Sequence, residues 1–428
     1  MSYDTVVVGA GLAGLTAALR LTQQGQRVLV VARGVGATHL SPATLDVLGY
    51  VGSARAESPA NSASSLVAGM PDHPYAHVTE AQRRAAIAWF VTDAAAALGY
   101  VGSVDENLLL PTALGVPKPT AFAPRTMAGG DLRSGGRFVF VGFKGFKDFH
   151  PTLIADNVAR AALPGLIAAR ALELEPPASA RGDLSGRVLA GRFDTEHLAD
   201  WLVSALEGRV DPDERIGIPA VLGLRAADAT WQALEQRLER TVFEISTLPP
   251  SIPGIRLFDV LTSALRAGGA RVVLGVRAAG ARVEDGRIEA VAVANATGTV
   301  SYPTRSVVLA SGGFASGGIE LDSFGVTRET VFDLPVSGVP ETDHVRFAPG
   351  YFDSQPLDDA GIATDEFLRP IGRDGRPVYP NLHAAGATLG GAVPWKEKSG
   401  TGISVITGYA AAEAILRPAP VPVSESVR

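Results

Sequence analysis

The chain contains no cysteine. That absence excludes a disulfide framework, a cysteine nucleophile and an iron–sulfur cluster held by its own thiolates. If electrons leave this protein through such a cluster, another subunit carries it. No surplus of positive charge exists either: 38 Lys and Arg face 44 Asp and Glu, a net charge of −6, which argues against nucleic acid as a partner. The seven histidines show no His-x-x-x-His spacing with a carboxylate, so no metal site is expected. Long apolar runs are missing. Ala94 to Val104 and Gly402 to Ala412 fall short of the ~20 residues that span a bilayer. No targeting segment is visible, since Asp4 falls where a signal peptide would carry positive charge. The expectation is a soluble protein without a direct membrane span.

What is present begins at the first strand. Val6-Val7-Val8 runs into Gly9-Ala10-Gly11-Leu12-Ala13-Gly14, and a helical pattern of Leu12, Leu15 and Leu19 follows. In this context Gly9 permits the tight strand-to-helix turn, Gly11 lets a pyrophosphate approach the backbone, and Gly14 lets helix pack on strand. The phosphate would sit on amides at the helix start, among Gly11, Leu12 and Ala13, at the positive end of the dipole. The second strand, Arg27 to Ala32, ends in Ala32-Arg33-Gly34. An Asp or Glu there usually takes the ribose hydroxyls, so a standard ribose contact is missing while the phosphate cradle stays intact. Thr38-His39-Leu40-Ser41 follows, a polar stretch that could run under a pyrophosphate and beside a flavin ring. Ser41-Pro42 equally suits the start of a helix.

Residues 53–72, rich in Ala, Ser, Pro and Gly, are expected to form a surface loop, and Ala81 to Leu98 a helix. Leu108 to Ala123 is proline-punctuated and extended, and Phe138 to Phe143 forms an apolar strand. Helices are expected over Phe149–Leu163, Thr195–Glu207 and Ala229–Arg240, so that 80–250 forms an inserted α/β domain. After Ile255–Ala267, Asp285-Gly286 marks a hairpin, and Ser306 to Ala310 is a strand ending at Ser311-Gly312. Near the C-terminus a strand ends in Ala384-Ala385-Gly386, and Ser399-Gly400-Thr401-Gly402-Ile403 opens a helix. Backbone amides at Gly386, Gly400, Gly402 and Ile403 would face a developing negative charge, which in a flavoprotein is the N1/O2 edge of the reduced ring.

The fold class is therefore α/β, a Rossmann-like two-dinucleotide-binding flavoprotein domain with an inserted α/β domain. Residues 1–79 are its first segment, 80–250 the insertion for substrate or partner, and 251–316 a second segment with a hairpin. Residues 317–360 return to the inserted or cap region, 361–416 complete the flavin-binding domain, and 417–428 form a disordered tail.

The sequence resembles the family of B-type subunits of anaerobic glycerol-3-phosphate dehydrogenases over nearly its whole length. Matching stretches include Tyr3-Asp4-Thr5-Val6 with the glycine loop, Arg33-Gly34 with Thr38-His39-Leu40-Ser41, Thr44-Leu45-Asp46, and His73-Pro74-Tyr75. Further matches are Asp148-Phe149, Leu248-Pro249-Pro250-Ser251, Gly254-Ile255-Arg256-Leu257, Leu309-Ala310-Ser311-Gly312, Phe347-Ala348-Pro349, Thr364-Asp365-Glu366, Leu368-Arg369-Pro370 and Asn381-Leu382. The resemblance implies a flavin, FMN by the family's description with FAD left open, and a small phosphorylated substrate. It implies a cytoplasmic subunit, peripheral to the inner face of the membrane. Its partners would be a catalytic FAD subunit and an iron–sulfur membrane-anchor subunit that passes electrons to quinone. One departure stands out: Pro394-Trp395-Lys396-Glu397-Lys398 replaces the family's glycine-rich run.

His39 is the candidate acid–base group, and His383 the candidate for packing. Arg369, with Arg256, could clamp a phosphate or carboxylate through its guanidinium, or form a structural ion pair. Lys396 and Lys398 could attract an anionic substrate, or lie on a solvated loop. Three functions remain open: the dehydrogenase subunit, a flavin relay or assembly subunit without turnover, and a stand-alone fumarate-reductase-like dehydrogenase.

Overall fold

Val6 and Val7 are fully buried and Val8 nearly so, and a strand covered on both faces needs no alternation with polar residues. This strand, β1 (Tyr3–Val8), runs through the middle of a sheet. Helix α1 (Leu12–Gln23) follows the glycine turn and ends before Gly25, whose φ of +79° few other residues adopt. β2 (Val28–Ala32) returns parallel to β1, with Val6 opposite Leu29. The computed structural model describes residues 2–177, 184–196, 198–340, 347–350 and 353–417.

A second sheet lies between the two visits of the chain to the first. Its strands are β3 (Gly136–Phe143), β4 (Leu166–Leu174), β5 (Glu214–Pro219) and β6 (Val242–Ile245), in the order β4-β3-β5-β6 and all parallel. Its core is aromatic. Phe138 and Phe140 stack at 6.2 Å, and the Phe243 ring stands edge-on at 6.1 and 6.4 Å.

Helix α2 (Ile252–Ala267) leads back, and β7 (Arg271–Leu274) pairs with β2. β8 (Arg277–Glu284) and β9 (Arg287–Asn295) form the hairpin around Asp285 and Gly286, whose φ values of +50° and +72° fit a tight primed turn. β10 (Gly298–Leu309) serves two layers. Its first half pairs antiparallel with β9, and its last residues run parallel to β1 and to β11 (Leu382–Ala384). Helix α3 (Gly400–Leu416) closes the fold against α1, where a Cβ on Gly408 would lie 2.4 Å from the Ala13 carbonyl oxygen. The result is a Rossmann-like sheet, β7-β2-β1-β10-β9-β8, with β11 on the parallel half of β10.

Several local expectations need correcting. Within 53–72 the chain forms a helix, Pro59–Gly69, capped by Ser58 and burying Ala60, Ala63 and Leu66. The serine cap, the proline at the first turn and the apolar spacing were the missed signal. Helix Glu80–Trp89 stops short of Leu98 and passes into a wider turn, Phe90–Ala94. The extended stretch is a hairpin, Leu108–Pro111 with Pro117–Thr120. The expected helix from Phe149 starts at Pro151, that over Thr195–Glu207 is Leu198–Leu206, and a further helix, Gly186–Thr195, precedes it. The expected tail beyond residue 417 lies outside the described residues.

Candidate functional site

The carboxyl ends of β1, β2, β10 and β11 lead to Gly9, Arg33, Ser311 and Gly386, and so bring the sequence-selected residues to one cleft. In an open parallel sheet this is where a ligand is held. Gly9 has φ +113°, and a Cβ there would lie 2.1 Å from the Ala310 carbonyl oxygen. A Cβ on Gly14 would lie 2.1 Å from the Gly9 carbonyl oxygen, so helix and strand touch through backbone. Gly11 differs. A Cβ there would meet no protein atom within 4 Å, although Gly11 is the residue before α1 and gives it no side-chain cap. The space over the helix start, beside Leu12 and Ala13, is open to an anion.

The segment after β2 lines the same cleft. Gly36 lies against Gly11, with its Cβ position 2.7 Å from the Gly11 Cα. The Thr38 hydroxyl, His39 Nε2 and the Ser311 hydroxyl are buried without a hydrogen-bond partner. These unpaired polar atoms, on the segments that follow β2 and β10, fit a polar ligand such as a flavin nucleotide, because burying such groups unpaired is costly. The His39 ring packs edge-on against Phe258 at 4.9 Å, and burial pushes its pKa down, which favours the neutral ring. Arg33 stands where the ribose acid is missing. It is exposed, and one guanidinium nitrogen lies 3.7 Å from the Cβ position of Gly317. The Gly312 N–H donates to the Thr388 hydroxyl at 3.0 Å, and the Gly386 N–H to the Thr407 hydroxyl at 2.9 Å.

Other selected residues are engaged elsewhere. The Ser41 hydroxyl accepts the Ala43 N–H at 3.2 Å. The Gly402 N–H donates to the Asp46 carbonyl at 2.9 Å and the Ile403 N–H to the Ser399 carbonyl at 2.8 Å, so neither offers the open amide expected of it. A Cβ on Gly402 would lie 2.5 Å from the Tyr75 hydroxyl, which makes this glycine a packing residue. Gly400 begins α3 beside them. Arg369, expected as a catalytic residue, instead binds Asp365 at 2.7 Å across a turn made possible by Leu368 at φ +59°. Arg256 is buried and grips Glu244 with both terminal nitrogens, at 2.6 and 2.9 Å. His383 is buried, with Nδ1 2.8 Å from the Phe367 carbonyl oxygen, and Lys396 pairs with Asp358 at 3.1 Å. Each of these arginines has an internal carboxylate, so the structural ion pair is the reading that holds.

Two clusters escaped sequence reasoning. Asp46 takes hydrogen bonds from Thr44, Thr120 and Lys118, at 2.8, 2.6 and 2.8 Å. His73, Glu397 and Ser399 form a buried chain beside the start of α3. The first member of each lay in a matching stretch, but Thr120, Lys118 and Glu397 are dozens to hundreds of residues away. Among the described residues no helix is long and apolar enough to cross a membrane.

Residues 4–403 match the FAD binding domain family. A probable B-type subunit of anaerobic glycerol-3-phosphate dehydrogenase from Halobacterium salinarum is 32% identical over 422 residues, covering 96% of this chain and 97% of that one. The B-type subunit of the anaerobic glycerol-3-phosphate dehydrogenase of Yersinia pseudotuberculosis is 32% identical over 97% of this chain and 98% of its own length. A solved 3-ketosteroid delta1-dehydrogenase from Sterolibacterium denitrificans is similar at 13% identity and a TM-score of 0.45, covering 96% of this chain and 99% of that one. That likeness is too loose to carry an activity across.

Proposed function

The chain belongs to the FAD-binding domain family and to that of the B-type subunits of anaerobic glycerol-3-phosphate dehydrogenases, and from this premise we propose that it is the flavoprotein subunit of a quinone-dependent glycerol-3-phosphate dehydrogenase. The observation that carries the reading is the cleft itself: an open cradle at Gly11 bordered by the unpaired Thr38, His39 and Ser311 atoms. The amides at Gly11, Leu12 and Ala13 hold the flavin's phosphate, and Thr38, Ser311, Gly312 and Arg33 hold its neighbouring groups. Gly9, Gly14 and Gly386 let the backbone come close enough for this. Bound flavin supplies the acceptor for the two electrons that leave sn-glycerol 3-phosphate as it becomes dihydroxyacetone phosphate. His39, neutral and unbonded at Nε2, is the group that can take a proton at that atom. The insertion over 80–250 faces substrate or a partner subunit. With no cysteine in the chain, onward electron transfer to quinone needs a partner that holds the iron–sulfur clusters and the membrane anchor.

A second reading, a flavin relay without turnover of its own, is favoured by one observation: Arg369 and Arg256, the two guanidiniums selected from the sequence as clamps for the substrate's phosphate, are both occupied by carboxylates. One experiment separates them. The purified chain is denatured, its flavin is identified by chromatography as FAD or FMN, and turnover of glycerol 3-phosphate with an artificial acceptor is compared with and without the co-expressed partner subunits. Turnover by the chain alone sinks the relay. A colourless protein sinks both readings.

A further inference from the structure

Of the arginines that the sequence offers to an anion, two are taken: Arg256 grips Glu244, and Arg369 binds Asp365. Arg33 differs. It is exposed, and among the described residues no carboxylate pairs with its guanidinium. Its backbone is nevertheless anchored. The Arg33 carbonyl accepts the Gly275 N–H at 3.3 Å and the Ala32 carbonyl accepts the Val276 N–H at 3.1 Å, which ties the end of β2 to the turn after β7. A free cation on an anchored stem is available to an outside anion.

Its position says which anion. Arg33 directly follows β2, at the carboxyl end of the parallel half of the first sheet. Further on, Gly36 folds back onto the glycine loop, with its Cβ position 2.9 Å from the Gly11 nitrogen. On the β10 side, one Arg33 guanidinium nitrogen lies 3.7 Å from the Cβ position of Gly317, and the Ser311 hydroxyl lies 2.8 Å from that of Gly318. Arg33 and Ser311 therefore border the same turn, one coming from the end of β2 and the other from the end of β10. The Ser311 hydroxyl is buried with no partner, and α1 begins at Leu12 with no side-chain cap. A guanidinium, a hydroxyl and uncapped amides are all donors.

A carboxylate at the end of this strand accepts from the ribose hydroxyls of a dinucleotide. A guanidinium cannot. It carries only N–H donors, set in a planar fork that matches phosphate oxygens, and at this place in a dinucleotide site it serves an added phosphate and not bare hydroxyls. The adenosine ribose of a flavin dinucleotide has no such phosphate. A flavin mononucleotide ends in one, a monoester with about −1.5 to −2 charges at pH 7.

We propose that Arg33 is the specificity-determining residue of the cofactor cleft. With the Ser311 hydroxyl it takes the outer oxygens of the phosphate seated at the start of α1, and it favours a flavin that ends there over one that continues into adenosine. The proposal rests on the flavin reading above, and it departs from the cofactor for which the matching family is named.

The test is fluorescence titration of the flavin-stripped full chain with FMN, FAD and riboflavin, in wild type, Arg33→Ala, Arg33→Glu and the exposed control Arg55→Ala. Riboflavin shares the ring and lacks the phosphate. Wild type should bind FMN more tightly than FAD or riboflavin, and added salt should weaken FMN more than riboflavin. Arg33→Ala should weaken FMN on the order of tenfold and leave riboflavin near its wild-type value, because a charge-assisted phosphate pair is lost. Arg33→Glu should weaken FMN further and, by restoring an acceptor for the ribose, bring FAD above FMN. Arg55→Ala should match wild type. The FMN-to-riboflavin ratio is taken within one protein, so a partly unfolded variant still yields it. A wild type that prefers FAD overturns the proposal, as does an Arg33→Ala ratio equal to that of wild type or of Arg55→Ala. If wild type binds none of the three, the flavin reading itself falls.

Discussion

At the carboxyl ends of β1, β2 and β10, three buried polar atoms have no protein partner, whereas at the carboxyl ends of β5 and β6 the Glu244 carboxylate accepts four hydrogen bonds. The second sheet is parallel throughout and the first is parallel from β7 through β2 and β1 to the last residues of β10 and β11, so both have the edge where open α/β sheets place ligands. In the second sheet that edge is filled from within. Arg256 reaches from α2 to Glu244 and to the Gly223 carbonyl, while Thr126 and the Leu222 N–H complete the carboxylate's shell. The second sheet thus uses its carboxyl end to dock onto α2, the helix whose Gly254 lies against the Thr38 and Ser41 carbonyls. Topology gives both sheets such an edge, and the unpaired Thr38, His39 and Ser311 atoms set the first apart from the second, where the Glu244 carboxylate is fully engaged.

The largest expected effect comes from breaking the filled end. Glu244→Ala removes one partner of a buried ion pair and leaves the Arg256 guanidinium uncompensated, which should cost about 3–5 kcal/mol of folding stability. Urea unfolding followed by tryptophan fluorescence measures it. A loss under about 1 kcal/mol would mean that the docking does not depend on this pair.

Gly11→Ala acts on the open end. The backbone there has φ −73°, which alanine adopts, and a Cβ meets no protein atom, so stability should change by only a few tenths of a kcal/mol. Flavin affinity should fall by about tenfold or more, because the methyl group takes the room a phosphate needs. Fluorescence titration of the flavin-stripped protein reads this. Equal affinities would move the phosphate away from the cradle.

How much of this contrast was legible in the sequence follows from separation along the chain. Gly9, Gly11 and Gly14 are local to one turn, so strand, turn and helix could be inferred together. The hairpin at Asp285-Gly286 was legible for the same reason. The fate of Gly402 was not, because its amide is taken by Asp46, and the neighbouring Thr401–Asp46 bond joins residues 355 positions apart. Such pairings are set when α3 closes against α1, and no local pattern encodes them. Arg256 is a subtler case. Its partner is only 12 residues away, but they lie on different elements, and a guanidinium suited to a phosphate suits a buried carboxylate equally well.

Ser311→Ala sharpens the comparison on a smaller scale. Deleting a buried hydroxyl that has no partner should leave the flavin-free protein as stable as before, or more stable by about 1 kcal/mol. In the flavin-bound protein the same change removes a hydrogen bond and should weaken flavin several-fold. The stabilisation that flavin adds in thermal melts would therefore be smaller in the variant than in wild type. Parallel losses in both forms would show that the hydroxyl has a structural partner and not a ligand.

The smallest expected effect is a pH dependence with a definite sign. Burial lowers the pKa of His39 below its ordinary value near 6.5, and it does the same for His77 and His383. The unfolded chain then binds more protons than the folded one whenever the pH lies between the folded and unfolded values, so stability increases with pH across that window. The contribution is complete above about pH 6.5 and is lost as the pH falls through the folded values. His39→Gln should flatten part of this slope, and only part, because His77 and His383 keep theirs. If flavin reaches His39, it should change the His39 share alone, since the His39 Nε2 is buried without a protein partner. Melting temperatures from pH 5 to 8, for wild type and His39→Gln with and without flavin, test this, and a flavin-independent slope in wild type would place His39 outside the ligand's reach.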